Sequence, residues 1–96
     1  MVVEYIRYRI DPDAAEAFER AYADAGGSLE ASSHCLDHDV SRCVEEPAAY
    51  VVRIIWDSLE GHEQGFRSSP EFASFFAAVR PFVGQIEEMR HYERIS

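Results

Sequence analysis

The segment Tyr50-Val51-Val52-Arg53-Ile54-Ile55-Trp56 is apolar on both faces apart from Arg53. A strand of that composition has to be covered on both sides. The rest of a 96-residue chain must therefore supply two covers. One domain fits in that length, over residues 1–96, with a single modest core. Such a chain buries only about 60–65% of its unfolded surface, so pairing with a second copy is an expected source of stability.

The remaining elements follow from their own signals. Val2 to Ile10 alternates, with Val2, Glu4, Ile6, Tyr8 and Ile10 on one face and Val3, Tyr5, Arg7 and Arg9 on the other, as a strand should. Asp11-Pro12-Asp13 starts a helix: Asp11 caps, Pro12 suits the first turn, and Asp13 complements the dipole. Ala14, Phe18, Ala21, Tyr22, Ala25 and Leu29 then form one apolar stripe, and Gly26-Gly27 weakens the helix near its end. Leu36 to Val44 reads as a second strand, and Glu45-Glu46-Pro47 as a polar connector. Asp57 and Ser58 can cap a short helix from Leu59 to Phe66. Ser69 with Pro70, or a box from Ser68 to Glu71, starts another that buries Phe72, Phe75, Phe76 and Val79. Pro81 stops or turns it, and Ile86 to Ile95 is the last strand.

The order is β-α-β-β-α-β with the second helical region broken in two, the ferredoxin-like α+β pattern with a four-stranded antiparallel sheet. Helices on one face leave the other bare. That face carries Val3, Tyr5, Val51 and Ile55, which suit water poorly. Two copies closing face to face would hide them, so the pattern predicts a homodimeric α+β barrel.

Charge removes several classes of partner. The net charge is -9, from 18 acidic residues against 9 arginines and no lysine, so phosphate backbones and anionic lipid surfaces are repelled. Neither nucleic acid nor a membrane is expected as a partner. No apolar run approaches the ~20 residues of a bilayer span, and Met1-Val2-Val3-Glu4 is unlike a secretion signal. A cytoplasmic protein is expected. Cys35 and Cys43 lie along one strand, roughly 26 Å apart if fully extended, too far for a disulfide. There is no paired-cysteine metal motif, phosphate loop, GxSxG or HExxH.

The stretch YVVRIIWDSLEGHEQGFRSSPEFASFF, Tyr50 to Phe76, resembles the strand-Trp-Asp/Glu-Ser-helix-Ser-Pro-x-Phe signature of antibiotic biosynthesis monooxygenase domains. HCLDHDVSRCVEEPAAY is similar to their second strand and connector, and MRHYERI to their last strand. The resemblance implies a dimeric barrel with a pocket between sheet and helices in each subunit. Some members oxygenate aromatic polyketides without metal or flavin, and others degrade haem. The haem-degrading members use an Asn on the first strand with a Trp and a His on the helical layer. Ile6, Phe66 and Phe76 stand at those places; Phe76 cannot ligate iron, and His62 is the remaining nitrogen nearby.

The expected activity is a monooxygenase without cofactor, acting on a small aromatic or quinone-type molecule. A non-catalytic or haem-associated member binding a hydrophobic ligand is the alternative. Such oxygenation needs an apolar slot, a proton acceptor and exclusion of water. Tyr8, Trp56, Phe66, Phe72 and Phe76 can build the slot or serve as ordinary core. His62, three residues after Leu59 and four before Phe66, can share their inward stripe, and its ordinary pKa suits a base. A half-exposed surface histidine is the plainer reading of the same residue. His62, Trp56 and Tyr8 are the candidate catalytic residues; Glu4, Ile6, His38, Phe66, Phe72 and Phe76 are candidates to line the pocket. Glu4 shares the Ile6 face but lies near a strand end, where carboxylates are usually solvated. His91 and Tyr92 lie on opposite faces, so at most one can meet a given cavity. Arg53 needs a partner if buried, with Glu4, Glu87, Glu88 or a second subunit as candidates.

Overall fold

The computed structural model describes residues 1–96. Four strands, β1 (Val2–Arg9), β2 (Cys35–Arg42), β3 (Ala49–Trp56) and β4 (Ile86–Glu93), form one sheet in the order β2-β3-β1-β4, every pair antiparallel. Helix α1 (Ala15–Ala31) follows a single 3-10 turn over Pro12–Ala14. A π-helical turn (Gly61–Phe66) and helix α2 (Pro70–Val79) fill the second crossover, and a 3-10 segment (Arg80–Gln85) leads into β4. This is the ferredoxin-like α+β arrangement. None of the helices is long and apolar enough to cross a membrane.

The capping chemistry acts as the residue types require. The Asp11 carboxylate accepts from the Asp13 amide at 2.9 Å, and the Ser69 hydroxyl accepts from the Phe72 amide at 3.3 Å. The Ser69-Pro70 start therefore operates, rather than the box from Ser68. Helix α1 continues through Gly26-Gly27 to Ala31 because its stripe of Phe18, Tyr22, Ala25 and Leu29 is buried along the whole length. Packing outweighs the weak propensity of two glycines. β2 begins one residue earlier and ends two earlier than the pattern suggested, since the Cys43 amide turns to bond Ala49 O. β4 ends at Glu93 rather than Ile95. On α2, Phe75 and Val79 are buried, whereas Phe72 is half-buried and Phe76 lies 40% exposed.

The two sheet faces have different fates. Ile6, Tyr8, Tyr50, Val52, Ile54 and Trp56 point to the helices and join Phe18, Tyr22 and Leu29 in one core. Phe18 sits at its centre, with the rings of Tyr8, Tyr50 and Phe82 at 4.8, 4.8 and 5.3 Å; Tyr8 and Phe82 meet it in the edge-on arrangement aromatic quadrupoles favour and Tyr50 is tilted. The opposite face carries no helix. Tyr5 and Tyr92 meet edge to face at 5.4 Å, beside Val3, Ile55 and Arg53. Arg53 finds its partners on neither β1 nor β4. Its guanidinium bonds Asp39 (Nε to Oδ2, 3.0 Å) and Asp37 (Nη2 to Oδ2, 3.0 Å) on β2, because Asp39 is its direct cross-strand neighbour.

The π-helical turn is held against the β2 end of the sheet by His34, whose Nδ1 lies 2.9 Å from Asp57 Oδ2. The imidazole packs against Gly65, where any Cβ would collide with it. Gly65→Ala should therefore cost about 1–3 kcal/mol by overpacking, read as a lowered Tm. An unchanged Tm would show that the turn is not held this way.

Candidate functional site

The helices do not close completely on the sheet. Between them lies a cavity of about 250 Å³ whose 16 lining residues include 13 apolar or aromatic ones. The three others are Glu4, His62 and Arg67. β1 contributes Glu4, Ile6 and Tyr8; β3 contributes Ile54 and Trp56; the helical layer supplies Phe66, Phe72 and Phe76 among others. The candidates named from sequence thus meet in one place, with one exception. His38 faces α1 from the edge strand, its ring against Gly26 and its Nε2 3.3 Å from Glu30. It lines a separate cleft of about 490 Å³ with Glu19, Arg42 and Tyr50. The reason is topological: β2 lies outside β3, and the cavity spans β3, β1 and β4.

One end of the cavity is polar and tightly bonded. Trp56 closes β3 fully buried, and its indole Nε1 donates to Glu4 Oε1 at 3.0 Å. Glu4 is only 2% exposed, not solvated as its place near a strand end suggested. Burial raises its pKa above the ordinary value, against the lowering effect of the Trp56 hydrogen bond. His62, 4% exposed rather than half-exposed, stacks on Trp56 with ring centroids 4.3 Å apart and planes within 9°. Its Nδ1 shares a 2.7 Å hydrogen bond with Nε2 of His91 on β4.

The other ring nitrogen of His62 is differently placed. Nε2 is 3.7 Å from Glu4 Oε1, beyond hydrogen-bond length. Every fully buried side-chain nitrogen or oxygen in the chain has a hydrogen-bond partner, so Nε2, which has none, is reached from the cavity. In the tautomer in which His62 Nδ1 donates to His91, Nε2 carries the ring's lone pair. Burial, with Arg67 and His91 adding to it, lowers the His62 pKa to about 4, so the ring is neutral at pH 7. A neutral, partly free imidazole can accept a proton from a bound molecule, and the cation formed would face Glu4 Oε1 3.7 Å away. At the far end the hydroxyls of Tyr8 and Tyr22 bond each other at 2.6 Å, and burial raises both pKa values. They stay un-ionised hydrogen-bonding groups.

His91 and Arg67 were not among the candidate site residues. His91 had a readable signal: pairing of β4 with β1 sets it opposite Glu4. Arg67 had none, because its position depends on the π turn.

Comparison with known proteins agrees with this architecture. The family model for antibiotic biosynthesis monooxygenase matches residues 1–78. The chain belongs to that family. It is 27% identical over 95 residues to YczJ of Bacillus subtilis, an uncharacterized protein, covering 99% of this chain and 100% of the relative. Its fold is similar to that of a Bordetella bronchiseptica protein assigned to the same family (TM-score 0.85, 20% identity, 99% and 97% of the two chains). It is also similar to SnoaB, a cofactor-independent oxygenase from Streptomyces nogalater (TM-score 0.81, 16% identity, 99% and 93% of the chains).

Haem does not suit this member of the antibiotic biosynthesis monooxygenase family. Ile6, Phe66 and Phe76 all line the cavity and none offers a ring nitrogen. His62 Nε2 is the one ring nitrogen open to the cavity, and an iron placed there would lie against the Glu4 carboxylate 3.7 Å away. The cavity of about 250 Å³ falls short of the roughly 300–1,000 Å³ typical for drug-sized ligands, and a haem is larger than most of those.

The low His62 value has a definite sign in stability. Between pH about 4 and 6.5 the unfolded chain binds a proton that folded His62 refuses, so this residue's contribution falls as pH drops through that window. Glu4, shifted upward, contributes with the opposite sign. In a 15N-edited NMR titration the His62 ring should remain neutral at pH 6 and titrate near 4; a midpoint at 6.5 would contradict the site as described.

Proposed function

We propose that this chain is a cofactor-independent monooxygenase of small aromatic or quinone-type molecules, working as a cytoplasmic homodimer. The observation that carries the proposal is the neutral His62 imidazole, stacked on Trp56, with Nε2 open to an aromatic-walled cavity. Family membership and the fold shared with SnoaB support the same reading.

The chemistry balances with dioxygen alone. A planar substrate with an acidic C–H, such as an anthrone, enters the apolar slot. His62 Nε2 removes the proton, leaving a carbanion delocalised over the rings. The imidazolium formed faces the Glu4 carboxylate, itself held by the Trp56 indole, and the burial that disfavours this cation drives the proton onward to the peroxide. The carbanion reduces dioxygen and a C–O bond forms. The peroxide takes back the proton; as the remaining C–H proton is lost its O–O bond breaks, leaving a carbonyl, and that proton joins the departing hydroxide as water. One atom of oxygen enters the product and one leaves as water, with the methylene carbon as the electron donor. The enclosing aromatics keep bulk water from quenching the carbanion.

The test is oxygen uptake by chelator-treated protein with 1,8-dihydroxyanthrone, at one dioxygen per substrate. His62→Gln should lower kcat by about 10²–10⁴, the usual contribution of a positioned base. No uptake above the autoxidation rate across a panel of anthrones and naphthols would sink the proposal and leave a ligand-binding protein.

The dimer rests on the uncovered sheet face. Tyr5 and the exposed Tyr92 stand there over Val3 and Ile55, which they help to bury, with no helix above them, an apolar patch that a second copy would cover. Light scattering at micromolar concentration should give twice the 10.9 kDa chain mass, and Ile55→Arg should reduce it to the monomer. A wild-type monomer would contradict this part of the proposal.

A further inference from the structure

Arg67 is the only cation lining the aromatic cavity, and it is left without a carboxylate. Most arginines here are paired, since 18 acidic residues surround 9 arginines; of the three that are not, Arg67, Arg80 and Arg94, only Arg67 lines the cavity. Six of the nine, Arg7, Arg9, Arg20, Arg42, Arg53 and Arg90, form ion pairs. Arg67 does not, although Glu63 and Glu71 stand four residues to either side. In an α-helix that spacing would bring such groups together.

The π turn accounts for the difference. The Arg67 amide bonds His62 O at 3.2 Å, five residues back, so the local register is wider than α-helical. Arg67 is exposed yet shares the cavity wall with His62 and Glu4. Its charge acts on both of these neighbours, lowering each pKa.

From this arrangement we infer that Arg67 makes the cavity a site for planar aromatic anions, taking the anionic oxygen of a carboxylate, phenolate or enolate while the rings enter between the aromatic walls. The guanidinium fork is suited to such oxygens. A net charge of -9 repels anions at long range, so selection for one has to come from a local, unneutralised cation. The inference deepens the proposed function by specifying the substrate as one that carries or develops negative charge. It depends on the cavity being the ligand site, and not on turnover.

A matched pair of probes tests it: 2-naphthoate, ionised at pH 7.5, and 2-naphthamide, neutral and of the same shape. By calorimetry, wild-type protein should bind naphthoate at least about tenfold more tightly than naphthamide, the scale of a charge-assisted hydrogen bond. Arg67→Gln should abolish that preference while leaving naphthamide affinity within about twofold of the wild type. Arg67→Lys should retain part of it, since it keeps the charge and loses the fork. Arg67 is exposed, and an unchanged Tm would show that each variant is folded. Equal affinity for the two probes in the wild type, a preference that survives Arg67→Gln, or binding of neither probe would overturn the inference. Naphthoate preference without oxygen uptake from any anthrone would leave it standing and overturn the oxygenase reading alone.

Discussion

The bond from the Trp56 indole to the Glu4 carboxylate joins the last residue of β3 to the third residue of β1 on the helix-facing side of the sheet. A carboxylate buried that deeply is costly unless its oxygens are met. Here the indole meets one oxygen, and that fixes the plane of the Trp56 ring. His62 lies flat on that plane, and the orientation of its ring decides which nitrogen faces His91 and which faces the cavity. Removing the indole N–H would leave Glu4 buried without its neutral donor and His62 without its seat. The polar end of the cavity is therefore one unit of four side chains on four elements, β1, β3, the π turn and β4.

Most of the framework could be read from residue types alone. The alternation in β1 placed Glu4, Ile6 and Tyr8 on one face and Val3 and Tyr5 on the other, and the sheet keeps that division. Ser69-Pro70 and Asp11-Pro12 marked the helix starts because their chemistry is local. What failed was mostly non-local. The Arg53 partners depend on the register of β2 against β3, and His38 misses the cavity because β2 is at the sheet edge. Neither fact is carried by the residues themselves. Glu4 was misjudged for a related reason: its burial requires the Trp56 indole, 52 positions away in the chain.

The π turn belongs to a second kind of failure. Gly61 and Gly65 lower the cost of departing from α geometry, and the His34-Asp57 pair occupies the space their side chains would fill. A search at helical spacing still finds His62 and Phe66, since four residues apart lies close to either register. It misplaces Arg67, the first residue after the turn. The pattern was adequate for the inward side chains and silent about the one cation they share the cavity with.

Trp56 is also the only tryptophan in the chain. All indole emission from this protein therefore originates at the polar end of the cavity, from a ring in face-to-face contact with an imidazole. A protonated imidazole withdraws the excited electron far better than a neutral one does. The brightness of the whole protein is thus tied to the charge of a single side chain, and anything that enters the slot or changes that charge becomes visible without a label.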